Sequence, residues 1–218
     1  MGRRALRKLP EGLDYSAHLL RPETMQTPFQ ASDYFSDFPQ DGSADLEIEV
    51  GSGKGLFLAN VASAVPERFF LGIEIAKKYA EFIAAKLARK GLQNARIMHG
   101  DAERFFAEQL PDNLLAAVHV YFPDPWWKKR HHKRRIMNER FLKDVARVLR
   151  PGGSLHFWTD VQDYFEQAVE LIATKIPLSP PHSVDEATAE HDLDYRTHFE
   201  RRTRLHGEAV YRARFEKP

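Results

Sequence analysis

A glycine-rich turn preceded by a carboxylate is the first group of residues that could do chemistry. The run Glu49–Gly55 reads E-V-G-S-G-K-G and begins inside an apolar segment. Glycines between a strand and a helix let a ligand approach the backbone closely. A dinucleotide site would need glycine at position 56, which is Leu56, and no G-K-[ST] phosphate loop occurs. The carboxylate of Glu49 therefore favours a cationic ligand over a pyrophosphate, and a tight turn without a ligand is the alternative.

S-adenosylmethionine (AdoMet) carries a sulfonium and an ammonium group and is a cationic ligand of this kind, which Gly51 and Gly53 would admit to the backbone. Three later acids also end apolar runs: Glu74, Asp101 and Asp160. An acid in the place of Glu74 can accept both hydroxyls of a ribose. Asp101 and Asp160 could each cap the helix that follows, or could contact an adenine amino group and a substrate respectively.

The run Tyr121–Trp127, Y-F-P-D-P-W-W, is the segment of the chain that is most informative about function. Two prolines around Asp124 stiffen the loop and remove two backbone donors. Trp126 and Trp127 at a strand end would be poorly used as core residues, but they suit a flat aromatic substrate that stacks on them. A structural Pro-Trp corner is the alternative interpretation.

A strongly basic run, Lys128–Arg135, follows directly, and six of its eight residues are Lys or Arg. On a solvated helix such charges would repel, whereas against a phosphate backbone they bind through counterion release. A solvated charge run is the alternative. His131 and His132 have no plausible set of companion ligands nearby, so no metal site is predicted. The segment Thr197–Arg202 mixes aromatic and ionic residues and is a weaker candidate for a recognition loop.

The elements that must position these residues alternate regularly between strand and helix. Strands are predicted over Leu46–Val50, Phe69–Ile75, Ala95–Met98, Leu114–Phe122 and Ser154–Thr159, with helices over Leu56–Val65, Lys77–Lys90, Glu103–Gln109, Asn138–Leu149 and Val161–Thr174. This order predicts an α/β fold, a doubly wound, mostly parallel Rossmann-like sheet with helices on both faces. Ligands of such sheets bind at the carboxyl ends of the strands. Further edge strands are predicted near Tyr195–Phe199 and Ala209–Phe215.

Composition and charge narrow the class of protein. The 218 residues fit one domain with appendages: an irregular N-terminal arm over 1–43 and a catalytic domain over 44–218. The absence of cysteine excludes disulfides and thiolate metal sites and favours a reducing cytoplasm. No apolar run approaches the roughly 18–20 residues of a membrane helix, and no secretory signal is recognisable. A net charge of +1 with segregated basic runs indicates a local anionic partner.

Over about residues 45–215 the chain resembles the bacterial tRNA (guanine-N7-)-methyltransferase family of AdoMet-dependent enzymes. The most specific part is Pro123–Trp126 with the basic run behind it. The resemblance implies AdoMet contacts from Glu49, Glu74, Asp101 and Asp124, and it makes Asp124 the candidate catalytic residue. It implies substrate contacts from Lys128, Asp160, Thr197, His198, Phe199 and Glu200, and RNA contacts from Arg130, His131, His132, Lys133, Arg134 and Arg135. Trp127 stands where many members have proline or histidine.

The implied reaction is methylation of N7 of the guanine at position 46 in the variable loop of tRNA. Guanine N7 carries an in-plane lone pair and needs no deprotonation, so alignment and electrostatics are the main tasks. The base must turn out of its stack, and Trp126 or Trp127 could stack on it. We expect tRNA as the partner, no membrane, no metal and no obligate protein partner, and a monomer or homodimer.

The amino-acid sequence alone leaves three other functions to be considered. A nicotinamide dehydrogenase is disfavoured by Leu56 and by the lack of a hydride-transfer constellation. An RNA-binding protein without catalysis would tolerate loss of the strand-end acids, yet Glu49, Glu74, Asp101 and Asp124 are all present. A methyltransferase acting on a small molecule would leave the basic run unexplained.

Overall fold

One eight-stranded sheet organises the chain. The computed structural model describes residues 6, 8, 9, 11–41, 43–186, 188, 189, 191 and 194–218. The strands are β1 (Leu19–Leu20), β2 (Leu46–Val50), β3 (Phe69–Glu74), β4 (Ala95–His99), β5 (Leu115–Tyr121), β6 (Leu149–Thr159), β7 (His182–Ser183) and β8 (Tyr211–Glu216). The helices are α1 (Leu56–Ala64), α2 (Lys77–Lys90), α3 (Ala102–Glu108), α4 (Glu139–Val148), α5 (Gln162–Lys175) and α6 (His198–Leu205).

The strand order β1-β4-β3-β2-β5-β6-β8-β7 is that of a doubly wound sheet. The pairs from β4 through β6 are parallel, and only β8 runs antiparallel, against both β6 and β7. From β2 the chain builds outward on one side through β3 and β4, and then returns to the other side as β5 and β6. The winding direction therefore reverses between β2 and β5, and a ligand crevice is expected outside the carboxyl ends of these two strands.

The central strands are buried on both faces because helices cover both sides of the sheet. All residues of β2 and β3 are buried, as expected for parallel strands. Gly72 in β3 has no room for a side chain, since an added Cβ would lie 2.8 Å from carbons of Leu58 and Ile97. This close packing fixes α1 against β3 and β4, and thereby fixes the turn that leads into α1.

The predicted alternation of strands and helices is confirmed, with one wrong element. The predicted range Lys77–Lys90 is α2 as observed, and the predicted edge strand at Ala209–Phe215 corresponds to β8, which runs from Tyr211 to Glu216. The strand expected near Tyr195–Phe199 is wrong, because helix α6 begins at His198. The side chain of Thr197 caps that helix, because its oxygen accepts a hydrogen bond from the backbone N–H of Glu200 at 3.0 Å. This bond satisfies one of the first-turn N–H groups that have no partner within a helix.

The N-terminal arm is irregular, with 3-10 helices at Ser16–His18, Pro22–Thr24 and Ala31–Asp33. Its short strand β1 nevertheless pairs with β4, and three of its aromatic residues, Phe29, Phe35 and Phe38, are buried in the main core. Among the described residues, no helix combines the length and apolarity that a bilayer crossing would require. The division of the chain at residue 43 stays a prediction.

Candidate functional site

The turn after β2 is built from backbone that only glycine adopts readily. Gly51, Gly53 and Gly55 have φ angles of 80°, 54° and 60°, in the left-handed region that other residues avoid. A Cβ added at Gly51 or Gly53 would meet no atom within 4 Å. The space beside these two glycines is therefore open to a ligand, whereas at Gly55 the same Cβ would lie 2.9 Å from Ile83.

Glu49, the last residue but one of β2, is a buried carboxylate with one oxygen that lacks a hydrogen-bond partner among the described residues. Glu49 is 4 % exposed, and the oxygen without a partner is Oε2. Burial is the largest influence and raises the pKa of Glu49 from 4.5 to about 7, with the nearby charge of Glu74 adding to the rise. A buried acceptor without a partner is costly unless a ligand satisfies it. A cationic or hydrogen-bond-donating group beside the turn fits this arrangement.

Glu74 ties the turn to the next strand. Its Oε2 accepts a hydrogen bond from the backbone N–H of Gly53 at 2.9 Å, and its Oε1 accepts one from the N–H of Ala76 at 3.0 Å. Each carboxylate oxygen can accept a second hydrogen bond, so Glu74 can still receive ligand hydroxyls. A further group missed by the sequence interpretation is Lys86 of α2, whose Nζ donates to the carbonyls of Lys54 and Gly55 at 2.9 and 3.1 Å.

Asp101 lies at the same edge of the sheet, beyond the end of β4. The register pairs Glu74 with His99, so Asp101 follows the neighbouring strand by two residues. Its predicted role as a helix cap is confirmed, because Oδ1 accepts from the backbone N–H of Arg104 at 3.3 Å at the start of α3. The carboxylate is exposed, and an additional contact to an adenine amino group stays a prediction.

Asp124 lies in the loop after β5, on the other side of the point where the winding reverses. Two residues that are not glycine, Phe122 and Trp126, have φ angles of 49° and 48°. Such left-handed conformations are strained, and strain of this kind clusters at functional sites. Asp124 is exposed and lines a cleft together with Pro125, Trp126, Trp127, Lys128 and His131.

The two tryptophans of this loop have different surroundings. The guanidinium of Arg134 lies over the ring of Trp126, 4.9 Å from its centroid, and His131 meets the same ring edge-on at 5.9 Å. Trp126 is thus part of the protein's own packing. Trp127 is 73 % exposed, which leaves its ring available to a planar ligand.

The basic run folds as a 3-10 helix over Lys129–Arg134. Its cationic side chains face solvent, with half-buried His131 and His132 between them; the exposed members are Lys128, Lys129, Arg130, Lys133 and Arg134. Arg135 departs from the predicted surface patch, because it is 5 % exposed and is bonded within the protein. The other five cations form a ridge beside the Asp124 cleft, which we call the basic ridge.

The segment after Thr197 approaches the same loop from the other end of the chain. The ring of exposed Phe199 lies 5.2 Å from the ring of Phe122, so the start of α6 contacts the Asp124 loop through this residue, which directly follows Thr197 and His198 in the chain. Glu200 is buried, and its carboxylate accepts a hydrogen bond from the N–H of Arg196 at 2.7 Å. It also forms ion pairs with the two arginines Arg204 and Arg212.

Asp160 follows β6 and is half-buried. Burial raises the pKa of Asp160 above its usual value, and the charge of Glu208 adds to the rise while the charge of Arg202 opposes it. Asp160 lies at the carboxyl edge of the strand next to β5, as the sequence predicted. Among the described residues there is no cluster of three or more His, Asp or Glu side chains that could hold a metal ion.

Comparisons with known proteins agree with this geometry. A family model described as a putative methyltransferase matches residues 43–213. A tRNA (guanine-N(7)-)-methyltransferase of Rhodopirellula baltica is 47 % identical over all of this chain and 80 % of the relative. One of Nitrosococcus oceani is 37 % identical over 80 % of this chain and 72 % of the relative.

Two solved structures share the fold at low sequence identity. The 16S rRNA methyltransferase KamB superposes with a TM-score of 0.61 at 19 % identity, covering 85 % of this chain and 94 % of that one. The aminoglycoside resistance methyltransferase NpmB1 gives a TM-score of 0.57 at 20 % identity, with 85 % and 93 % coverage. These likenesses show that the chain has the same Rossmann-like fold as these two proteins.

Proposed function

Because the chain belongs to the tRNA (guanine-N7-)-methyltransferase family, we propose that it transfers the methyl group of AdoMet to N7 of guanine 46 in the variable loop of tRNA. The observation that carries the proposal is the juxtaposition at one sheet edge. Strand-end acids and an open glycine turn lie beside the strained loop of Asp124, and the basic ridge adjoins that loop. The chemistry needs a donor site and an RNA site that share a border.

The glycine turn after β2 and the acids at the strand ends form a site whose geometry fits AdoMet, the methyl donor. The unpaired Oε2 of Glu49 suits the ammonium group of the methionine part, and open space beside Gly51 and Gly53 admits that part to the turn. Glu74 would receive the ribose hydroxyls, and Asp101 the adenine amino group. AdoMet supplies an electrophilic methyl group on a positively charged sulfur, and acidic side chains around it favour that charge.

The acceptor needs alignment more than it needs a base. The lone pair of guanine N7 forms the new N–C bond while the C–S bond breaks and its electron pair goes to sulfur, so no proton must be removed. Positive charge develops on the base. Asp124, exposed in its cleft, would stabilise that charge or accept hydrogen bonds from guanine N1 and the exocyclic amine. Fixed charge of this kind is often the largest contribution to catalysis.

The RNA side would combine charge with stacking. We assign phosphate contacts to the basic ridge, because its five cations are exposed and a phosphate backbone offsets their mutual repulsion. Half-buried His131 and His132 would border the same RNA. Lys128, Asp160, Thr197, His198 and Phe199 would surround the base, since Phe199 packs on the Asp124 loop. Glu200, whose carboxylate is bound internally, would act by fixing the shape of this segment.

The test is methyl transfer from labelled AdoMet to unmodified tRNA, followed by nucleoside analysis. The proposal predicts 7-methylguanosine in the wild-type tRNA and none in a tRNA whose guanine 46 is replaced by adenine. Another methylated nucleoside would overturn the assigned atom, and 7-methylguanosine in both tRNAs would overturn the assigned position. Binding of tRNA without any transfer would favour the non-enzymatic alternative. We also propose that the enzyme acts in the cytoplasm as a monomer or homodimer.

A further inference from the structure

Arg135 is set apart from the other cations of its run by burial. It is 5 % exposed, whereas Arg134, its neighbour in the chain, is exposed. Its guanidinium lies over the ring of Tyr164 in α5, 4.5 Å from the centroid. A side chain stacked and buried in this way cannot reach a phosphate backbone without leaving its place.

The hydrogen bonds of Arg135 join helix α5 to the Asp124 loop. Nε donates to the carbonyl of Pro125 at 2.7 Å. One terminal nitrogen donates to Oε1 of Gln167 at 2.8 Å, and both terminal nitrogens reach Oδ2 of Asp163 at 3.3 and 3.4 Å. The planar fork of arginine makes these contacts together. One side chain thus connects a regular helix with the residue that follows Asp124.

The loop at the other end of this connection requires support. Phe122 and Trp126, on either side of Asp124, are both held in left-handed conformations, which persist only where the surroundings enforce them. The N–H of Phe122 donates to the carbonyl of Trp158 at 2.8 Å, which fixes the beginning of the loop. The bond from Arg135 to Pro125 fixes it on the far side of Asp124.

We propose that Arg135 is a positioning residue that holds the carboxylate of Asp124 in place for methyl transfer, rather than a contact to RNA. The inference rests on the proposed function of the Asp124 loop. Replacement by lysine separates the two roles. Lysine keeps the positive charge that an RNA contact needs, but a single ammonium group cannot span Pro125, Asp163 and Gln167 as the guanidinium fork does.

The experiment measures kcat, KM for tRNA and the salt dependence of tRNA binding for Arg135→Lys and Arg134→Ala. The matched control is Arg89→Lys, at an exposed position of α2. If Arg135 positions Asp124, Arg135→Lys should lower kcat by about 10- to 100-fold, because a small displacement of a group at the reacting centre has an effect of this size. The salt dependence of tRNA binding should stay unchanged. Arg134→Ala should instead flatten the slope. Arg89→Lys should behave as wild type.

Tryptophan quenching gives a readout that does not depend on activity. Trp126 and Trp127 report on the loop, while Trp158 is buried, so Arg135→Lys should raise quenching by acrylamide at unchanged far-UV circular dichroism. A wild-type kcat and wild-type quenching in Arg135→Lys would overturn the inference, as would a changed salt slope with kcat retained.

If Arg135→Lys fails to fold, Gln167→Leu is the second variant, because it removes one hydrogen bond of the guanidinium. It should lower kcat and raise quenching in the same directions, by smaller amounts. Absence of 7-methylguanosine in the wild-type reaction would contradict the proposed function, while the quenching result would still decide the role of Arg135.

Discussion

The turn after β2 and the loop after β5 lie on adjacent strands at one sheet edge, yet they are built in opposite ways. The turn uses glycines where φ is positive, and its acids Glu49 and Glu74 are buried. The loop places bulky Phe122 and Trp126 in the same backbone region, and its acid Asp124 is exposed. The first region has a relaxed backbone and buried acids, and the second has a strained backbone and an exposed acid. This difference suits a small donor on one side and a large RNA on the other.

The largest effect should come from Asp124. We expect Asp124→Ala to lower kcat by about 10²- to 10³-fold, the usual cost of losing a preorganised electrostatic group, while tRNA binding changes little. Asp124→Asn is the matched control, because it keeps the shape and the acceptor oxygen but removes the charge. Single-turnover methyl transfer and tRNA titration measure the two quantities. Turnover near wild type in Asp124→Ala would remove this residue from the chemistry.

The next effect concerns the exposed tryptophan. Trp127→Ala should weaken tRNA binding by about 1–3 kcal/mol, the range for one stacked base, and Trp127→Phe should recover part of the loss because it restores a ring. Filter binding at fixed ionic strength measures both. An alanine variant that binds tRNA as wild type does would show that Trp127 (73 % exposed) carries no base.

The buried acid of the turn predicts a dependence on pH. Burial raises the folded-state pKa of Glu49 to about 7 from the ordinary 4.5, so between these values the folded chain holds a proton that the unfolded chain has released. The contribution of Glu49 to stability is therefore present at low pH and is lost as the pH rises through about 7.

Urea unfolding of the protein without AdoMet, from pH 5 to pH 8, should thus show a decline that Glu49→Gln reduces. Added AdoMet should offset the decline at the higher pH, where the carboxylate is charged. Equal pH profiles for the wild type and Glu49→Gln would mean that Glu49 titrates normally and is not the buried partner of a cation.

The smallest effect should be that of a single ridge cation. Arg134→Ala should reduce the slope of log K against log salt for tRNA binding by about 0.7–0.9, as expected for one phosphate contact. AdoMet affinity should remain as in the wild type, because Arg134 lies over the ring of Trp126 and is not one of the residues assigned to the donor site. A salt slope equal to that of the wild type would place Arg134 against Trp126 for packing alone.

The sequence predicted the turn better than the loop, and the reason is the range of the interactions. Periodicity and capping signals are local, so the bounds of α2 and β2 follow from neighbouring residues. The error at Tyr195–Phe199 was also local: Thr197 and Glu200 stand three apart, a spacing typical of a helix start.

The burial of Arg135 could not be predicted in this way. It depends on Asp163 and Gln167 of α5, which stand 28 and 32 residues later in the chain. The same holds for Lys86, which reaches the carbonyls of the glycine turn 32 and 31 residues before it. From the sequence alone, both residues look like ordinary surface cations. Their roles follow only from contacts between distant parts of the chain, which the fold brings together.

A crystal structure with S-adenosylhomocysteine and tRNA bound would show whether the donor site and the RNA site meet at Asp124. We predict the product's sulfur between the Gly51–Gly53 turn and Asp124, with the base of guanine 46 turned out of its stack so that N7 faces that sulfur. A guanine held outside the Asp124 cleft, or a cofactor bound away from Glu49 and Glu74, would overturn the proposed arrangement of the site.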